Sequence, residues 1–228
     1  MASLHALIVF VRFPYQGKVK TRLAQSIGTV QASQFYRLCA EAALQEITLV
    51  SGTIDRYVFY ADETDELEIR HWVGCGFQCI VQQGKDIGER LQSAFYHVFE
   101  KGTRKIVIVA SDVPDLSHNI LEQAMKALDR ADVVLGPCYD GGYYLIGMKK
   151  LHEDLFNGIL WSTEQVYQQT VDIATGNGLT VHQLPCLIDI DTQADLQKWA
   201  RTDKYRKPVL EEFIATVDLK AGTERVSP

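Results

Sequence analysis

The sequence predicts an α/β sandwich built around a mostly parallel sheet. Two observations carry this. Short apolar runs, at 4–10, 56–61, 77–81 and 105–110, alternate with segments whose apolar residues recur at helical spacing. The runs are almost continuously apolar, as strands buried on both faces require.

The elements follow in order. Residues 4–10 form the first strand. Ala32, Phe35, Tyr36, Cys39, Ala43, Leu44 and Ile47 share one helical face over 29–49. Strands at 56–61 (RYVFYA) and 77–81 follow, then a helix at 87–99 whose face holds Ile87, Leu91, Ala94, Phe95 and Val98. The run 105–110 (KIVIVA) is a strand and 117–130 a helix. Two more strands, 132–136 and 143–148, are joined by a short turn around Gly141 and Gly142. That link is too short for a helical crossover, so it implies a hairpin or a strand placed elsewhere in the sheet. Ser162 with Gln165 reads as a capping box opening a helix. This helix ends near Gly176–Gly178. A strand at 179–184 and a helix from Thr192 complete the pattern, and the end, AGTERVSP, reads as frayed.

A chain of 228 residues with 46% hydrophobic and 23% charged residues is of ordinary globular composition. One domain is the default at this length. The net charge is -6, which argues against duplex nucleic acid as the main partner. The charge is unevenly spread. Residues 1–40 hold five Lys/Arg and no Asp or Glu, leaving 18 Lys/Arg against 29 acids in the remainder. Such a reversal suits a small anionic ligand. The five cysteines are scattered, with no paired zinc-finger spacing, so buried or incidental thiols are expected. No run approaches the roughly 18 apolar residues of a membrane span, and the first apolar run is too short for a signal peptide. A reducing cytoplasm is the expected location.

Ligands of open α/β sheets bind beyond the carboxyl ends of the strands. The segments found there carry charge. After the first strand, Arg12, Gly17, Lys18, Lys20 and Arg22 offer a glycine and four cations to a phosphate, although the spacing is not that of a Walker P-loop. The alternative is a solvated basic loop. After KIVIVA, Asp112 stands at the tip of an apolar strand, where a carboxylate suits a hard cation. Asp115 is expected to cap the helix that follows. Asp189 and Asp191 lie two apart, so in an extended chain only one faces the site. Asp191 or Thr192 is also a candidate cap for the last helix. Asp140, before Gly141 and Gly142, reads equally as turn or function. Trp161 is a stacking surface or core.

These motifs together resemble a known family. FPYQGKVKTRLA, QQGKDIGERL, SDVPDL, DVVLGPCYDGGYYLIGM, LFNGILWSTEQV and LPCLIDIDTQADL are similar, in order, to segments of bacterial GT-A-fold glycosyltransferase-like or nucleotide-diphospho-sugar-transferase-like proteins. Some of these are linked to arsenosugar biosynthesis. The family is related to the 2-phospholactate guanylyltransferases and the molybdenum-cofactor nucleotidyltransferases. This chain has Arg12 where the family usually has Lys, and Ser111 within a segment that usually begins Gly-Thr-Asp.

The resemblance implies a GT-A fold: a Rossmann-like three-layer sandwich with a mostly parallel mixed sheet, in one domain over 1–228. Its nucleotide-binding half would span about 1–115, its acceptor-binding half about 116–200, and a helical tail about 201–228. Arg12, Gly17, Lys18, Lys20 and Arg22 would face the phosphates, and Gly88 would lie near the base or ribose. Asp112 takes the place of the metal-binding carboxylate. The DxD motif is incomplete because Pro114 stands at its second acid, so Asp191 is expected to help hold Mg²⁺ or Mn²⁺.

The reaction expected is glycosyl transfer from a nucleotide-diphospho-sugar to a small acceptor. Lys20 and Arg22 would stabilise the leaving phosphate and Asp140 would act as base, with Gly141, Gly142 and Trp161 on the acceptor side. The alternatives are nucleotidyl transfer with pyrophosphate release, and a non-catalytic nucleotide-binding module. The sequence leaves the oligomeric state open.

Overall fold

The computed structural model describes residues 4–61, 65–202 and 207–217. Seven strands form one sheet: β1 (His5–Val11), β2 (Asp55–Tyr60), β3 (Gln78–Val81), β4 (Lys105–Ala110), β5 (Val133–Pro137), β6 (Tyr143–Met148) and β7 (Val181–Gln183). Their order is β3-β2-β1-β4-β6-β5-β7. All neighbours are parallel except β6, which runs antiparallel to both β4 and β5. The short link after β5 is therefore a hairpin, and it also inserts β6 between β4 and β5. As a result the tip of this hairpin lies at the same edge as the carboxyl ends of β1 and β4.

Helices cover both faces. They are α1 (Thr21–Ile27), α2 (Thr29–Leu49), α3 (Glu66–Val73), α4 (Ile87–Phe99), α5 (His118–Ala127), α6 (Val166–Gly176), α7 (Gln193–Ala200) and α8 (Pro208–Thr216), with a 3₁₀ turn at Glu153–Phe156. Strand alternation divides the core. Leu7, Val9 and Val11 join Val107 and Val109 beneath Ala43, Ile47 and Leu121 of α2 and α5. Ala6 and Ile8 join Ile106 and Ile108 beneath Leu91, Phe95 and Val98 of α4. Each of the larger side chains among these contributes about 1.5–3 kcal/mol by leaving water. The result is a three-layer sandwich, as the sequence predicts.

A third cluster matters most for the site. Leu23 of α1, Phe35 of α2, Ile188 and Ile190, and Trp199 of α7 pack together with Leu210 and Phe213 of α8. It seats the start of α1 against the segment before α7.

The structure corrects several expectations. The cation-bearing segment is not loop throughout: α1 begins at Thr21, so Arg22 is helical while Arg12, Lys18 and Lys20 precede the helix. Helix α3 was not expected at all. Ser162 does not cap α6; it has φ 63, and α6 starts four residues later with no side-chain cap. The last strand is shorter than 179–184 because only Val181–Gln183 pair with β5. Asp115 does not cap α5. Ser117 does, its side chain accepting from the Ile120 amide, while Asp115 accepts from Trp199 Nε1 at 2.8 Å. Thr192 caps α7 in a reciprocal box with Asp195. AGTERVSP lies outside the described residues.

Candidate active site

The site is assembled where the parallel strands end. Arg12 follows β1, Asp112 follows β4, and residues 138–142 form the tip between β5 and β6. Backbone bonds fix the fourth segment: Leu187 N donates to Pro137 O at 3.1 Å, and Tyr139 N to Leu187 O at 3.3 Å. This brings Asp189 and Asp191 to the same rim.

Lys20 stands at its centre. Its side chain is 5% exposed, and Nζ donates to Asp112 Oδ2 at 2.8 Å and to Asp191 Oδ1 at 2.6 Å. The geometry follows from packing. Leu23 and Ile190 are wholly buried in one cluster, so Lys20, three residues before the one, meets Asp191, one residue after the other. Lys20 also has a left-handed backbone, φ 47 and ψ 46, with no cap hydrogen bond from its side chain. For a non-glycine residue this costs about 1–2 kcal/mol, so the ion pairs hold a strained turn. Burial works against the ammonium, but Asp112 and Asp191 outweigh it and raise its pKa. Burial likewise works against the Asp112 carboxylate, and Lys20 overcomes it and lowers that pKa. Arg22 is largely exposed and reaches Asp191 Oδ2 at 3.9 Å.

Two further contacts hold the first loop. The Arg12 amide donates to the Tyr36 hydroxyl at 2.8 Å, and that hydroxyl pairs with Ser111 Oγ at 2.9 Å. Tyr36 thereby ties the ends of β1 and β4 to α2. Its burial pushes the phenol up to about 12, so it stays neutral. On the other side Phe13 packs on Tyr15 and Trp72, with ring centroids 4.6 and 5.5 Å away.

The rim borders several hollows that share lining residues. A cleft of about 600 Å³ is lined by Phe10, Asp112, Asp140, Gly142, Trp161 and Asp191, among others. A basic hollow of about 230 Å³ lies beside it, lined by Arg12, Lys18, Lys20, Arg22 and Tyr36 as well as Asp112 and Asp191. A third, of about 460 Å³, runs past Gln82, Lys85 and Arg90. The cations and acids singled out from the sequence therefore do converge. The glycines act differently. Gly17 takes φ 74 inside the turn in which Lys18 N donates to Tyr15 O. Gly88 admits Trp161, because a Cβ there would meet the indole at 2.5 Å. Gly141 takes φ 88 and passes so close to Glu164 O that a Cβ would stand 2.0 Å from it. Neither Gly88 nor Gly141 lines the cleft, so each shapes a wall.

Asp189 and Cys138, which sequence reasoning leaves aside, also stand beside this rim. Residues 184–191 are irregular apart from one bridge at Leu187, so the strand rule that separates Asp189 from Asp191 does not apply. Both border one hollow of about 240 Å³. Burial, then Asp140 and Asp112, push the Asp189 carboxyl up to about 7. Asp140 Oδ1 accepts from the Gly142 amide at 2.8 Å, so its turn role is real.

The profile of a family described as "Uncharacterized protein conserved in bacteria (DUF2064)" matches residues 45–163, more than half of the chain. The chain belongs to DUF2064. This DUF2064 chain is also similar to a candidate nucleotide-diphospho-sugar transferase from Desulfovibrio desulfuricans G20. The two are 33% identical with a TM-score of 0.86, over 93% of this chain and 94% of that one. Other solved structures show a shared fold alone. The inositol-1-phosphate CTP transferase from T. maritima is 14% identical with a TM-score of 0.52, over 98% of the DUF2064 chain and 100% of its own. Rv0371c from Mycobacterium tuberculosis H37Rv, solved as a complex with manganese, is 13% identical with a TM-score of 0.52, over 85% and 97%. No curated protein sequence matches the chain. The DUF2064 chain thus has the Rossmann-like fold of nucleotide-diphospho-sugar transferases, as its motifs imply. Among its described residues no helix is long and apolar enough to cross a membrane.

Proposed function

We propose that this protein is a nucleotide-dependent transferase of the cytoplasm that moves a glycosyl group from a nucleotide-diphospho-sugar to a small acceptor. The observation that carries this reading is the divided rim. Arg12, Lys18 and Arg22 are exposed around one hollow, and four carboxylates, Asp112, Asp140, Asp189 and Asp191, stand beside it. Cations of this kind suit the phosphates of a donor and the charge that grows on a leaving diphosphate. The likeness to the D. desulfuricans protein supports a sugar-nucleotide donor. We read residues 1–115 as the donor half, 116–200 as the acceptor half, and the remainder as a tail.

A divalent metal fits the donor set. Lys20 Nζ takes only Oδ2 of Asp112 and Oδ1 of Asp191, so each of these carboxylates keeps a second hard oxygen for an ion. Asp112 and Asp191 would hold Mg²⁺ or Mn²⁺, and a bound ion would supply Lewis-acid stabilisation of phosphate charge. The remaining work belongs to the chain. Lys20 and Arg22 orient and neutralise phosphate oxygens. Asp140, at the mouth of the large cleft, accepts the proton of the acceptor hydroxyl. Trp161, backed by Gly88, forms the apolar wall on which the acceptor or a ring rests.

Nucleotidyl transfer is a second reading, supported by the fold likeness to a CTP transferase. A non-catalytic nucleotide-binding module is a third. Incubation with nucleotide sugars and nucleoside triphosphates, each with Mg²⁺ or Mn²⁺, separates them. Release of nucleoside diphosphate supports glycosyl transfer, release of pyrophosphate supports the second reading, and binding without turnover supports the third.

A further inference from the structure

We propose that Cys138, Asp140 and Asp189 form a second cation site, for a borderline-soft divalent ion such as Zn²⁺, beside the Asp112–Asp191 pair and sharing Asp140 with the proposed transfer. The Cys138 thiol and one carboxylate oxygen from each aspartate all lie within 4.8 Å of one another. Cys138 is only 8% exposed, and its thiol has no hydrogen-bond partner among the described residues. Asp140 is exposed and Asp189 half-buried, so the three donors descend from the solvent edge to the core. Neither carboxylate has an ion-pair partner among the described residues.

The frame is rigid. Cys138 bridges Leu187 in parallel register. Its amide donates to Gly142 O at 2.9 Å, and its carbonyl accepts from Gly141 N at 3.2 Å. These backbone bonds, which need no ion to form, fix Cys138 and the Asp140 turn and leave Asp189 two residues beyond the bridged Leu187. Only a modest closure is required to bring them to the roughly 2.0–2.3 Å of Zn²⁺ ligands. The exposed Asp140 side chain has one oxygen, Oδ2, outside its turn hydrogen bond to supply it.

The donor chemistry selects the ion. Mg²⁺ demands hard oxygen ligands and keeps its waters, whereas a thiolate with two carboxylates suits Zn²⁺ or Co²⁺. Three protein ligands leave a fourth position open. The hollow bordered by Asp140, Asp189 and Asp191 gives it room for water or a ligand oxygen. As the sulfur–metal bond forms, the thiol proton passes to solvent. An ion held there engages the carboxylate that the proposed transfer uses as its base, so the two uses of Asp140 exclude each other.

The site is tested on the full chain with metal alone, without nucleotide. Titration with Co²⁺ is expected to give a thiolate-to-cobalt charge-transfer band in the near ultraviolet. Zn²⁺ should abolish the band, and an excess of Mg²⁺ should leave it. Cys138→Ser should lose the band and weaken Zn²⁺ binding by more than the ~10-fold that loss of even an outer-shell partner costs. Asp189→Asn should weaken it as well, whereas Cys186→Ser and Asp112→Asn should keep the band. Circular dichroism checks that each variant is folded. Absence of the band in the wild type, its survival in folded Cys138→Ser, or its loss in Cys186→Ser instead would overturn the assignment. None of these outcomes bears on whether the chain binds a nucleotide.

Discussion

Two pairs of carboxylates stand on one rim and differ in what surrounds them. Asp112 and Asp191 share the buried ammonium of Lys20, at 2.8 and 2.6 Å. Asp140 and Asp189 face each other with no cation in pairing distance among the described residues. The first pair includes a carboxyl held below its ordinary range. The second includes one pushed up to about 7. Residue type alone therefore does not set charge at neutral pH. The difference lies in which carboxylates meet a cation: among the described residues Lys20, at the start of α1 and seated through Leu23, reaches Asp112 and Asp191 but neither Asp140 nor Asp189.

The largest effect is expected from breaking the first pair. Lys20→Met leaves two partly buried carboxylates without their partner and should cost about 3 kcal/mol of unfolding free energy at pH 8. The depressed pKa of Asp112 gives stability that is present above its unfolded value and is lost as pH falls through the folded one. The gap between wild type and variant should therefore shrink on acidification, when the variant's carboxylates take up protons. Denaturant melts at pH 8 and pH 4 check this, and a gap independent of pH would show that the pair is not electrostatic.

A smaller effect of opposite sign is expected from the second pair. The folded pKa of Asp189 is raised above its unfolded value, so wild-type stability falls as pH rises from about 4 to about 7 and is then level. Asp189→Asn removes that slope. At pH 8 it should stabilise the fold by on the order of 1 kcal/mol, after discounting for the partly exposed side chain, which is a Tm rise of about 2–4 °C. A lower Tm at pH 8 would contradict the raised pKa.

The smallest change in stability is expected for Arg22→Ala. This guanidinium is mostly exposed and 3.9 Å from Asp191, so its removal should cost less than about 0.5 kcal/mol. Nucleotide affinity should still fall and become less sensitive to salt. An unchanged salt response, measured by titration, would remove Arg22 from the phosphate side.

Much of this arrangement is legible in the sequence. β1, β2 and β4 are apolar runs buried on both faces, so composition alone marks them. Asp112 is legible because a charge at the tip of such a strand has no stabilising purpose by itself. The misses have physical causes. In α1, Leu23 is the one fully buried side chain, so seven residues show no helical period. In α3, Asp65 accepts from the Leu67 amide and Gly74 ends the helix; those caps were readable signals. At Ser162 the reverse happened: a capping pattern was present, but the residue turned left-handed instead. Asp189 was set aside by strand alternation that an irregular segment does not obey. Cys138 gave no signal, because its meaning depends on a backbone bridge to a residue 49 positions away.

The claim that this rim binds nucleotide through metal and cations is tested most directly by thermal shift. Wild type and Asp112→Asn are melted with a panel of nucleotides and nucleotide sugars, with and without Mg²⁺ or Mn²⁺. At least one nucleotide should raise the wild-type Tm, more so with metal, since a ligand at 100 times its Kd adds about 2.7 kcal/mol. Asp112→Asn should lose the metal-dependent part of the shift. A folded Asp112→Asn protein with an undiminished, metal-dependent shift would contradict the account.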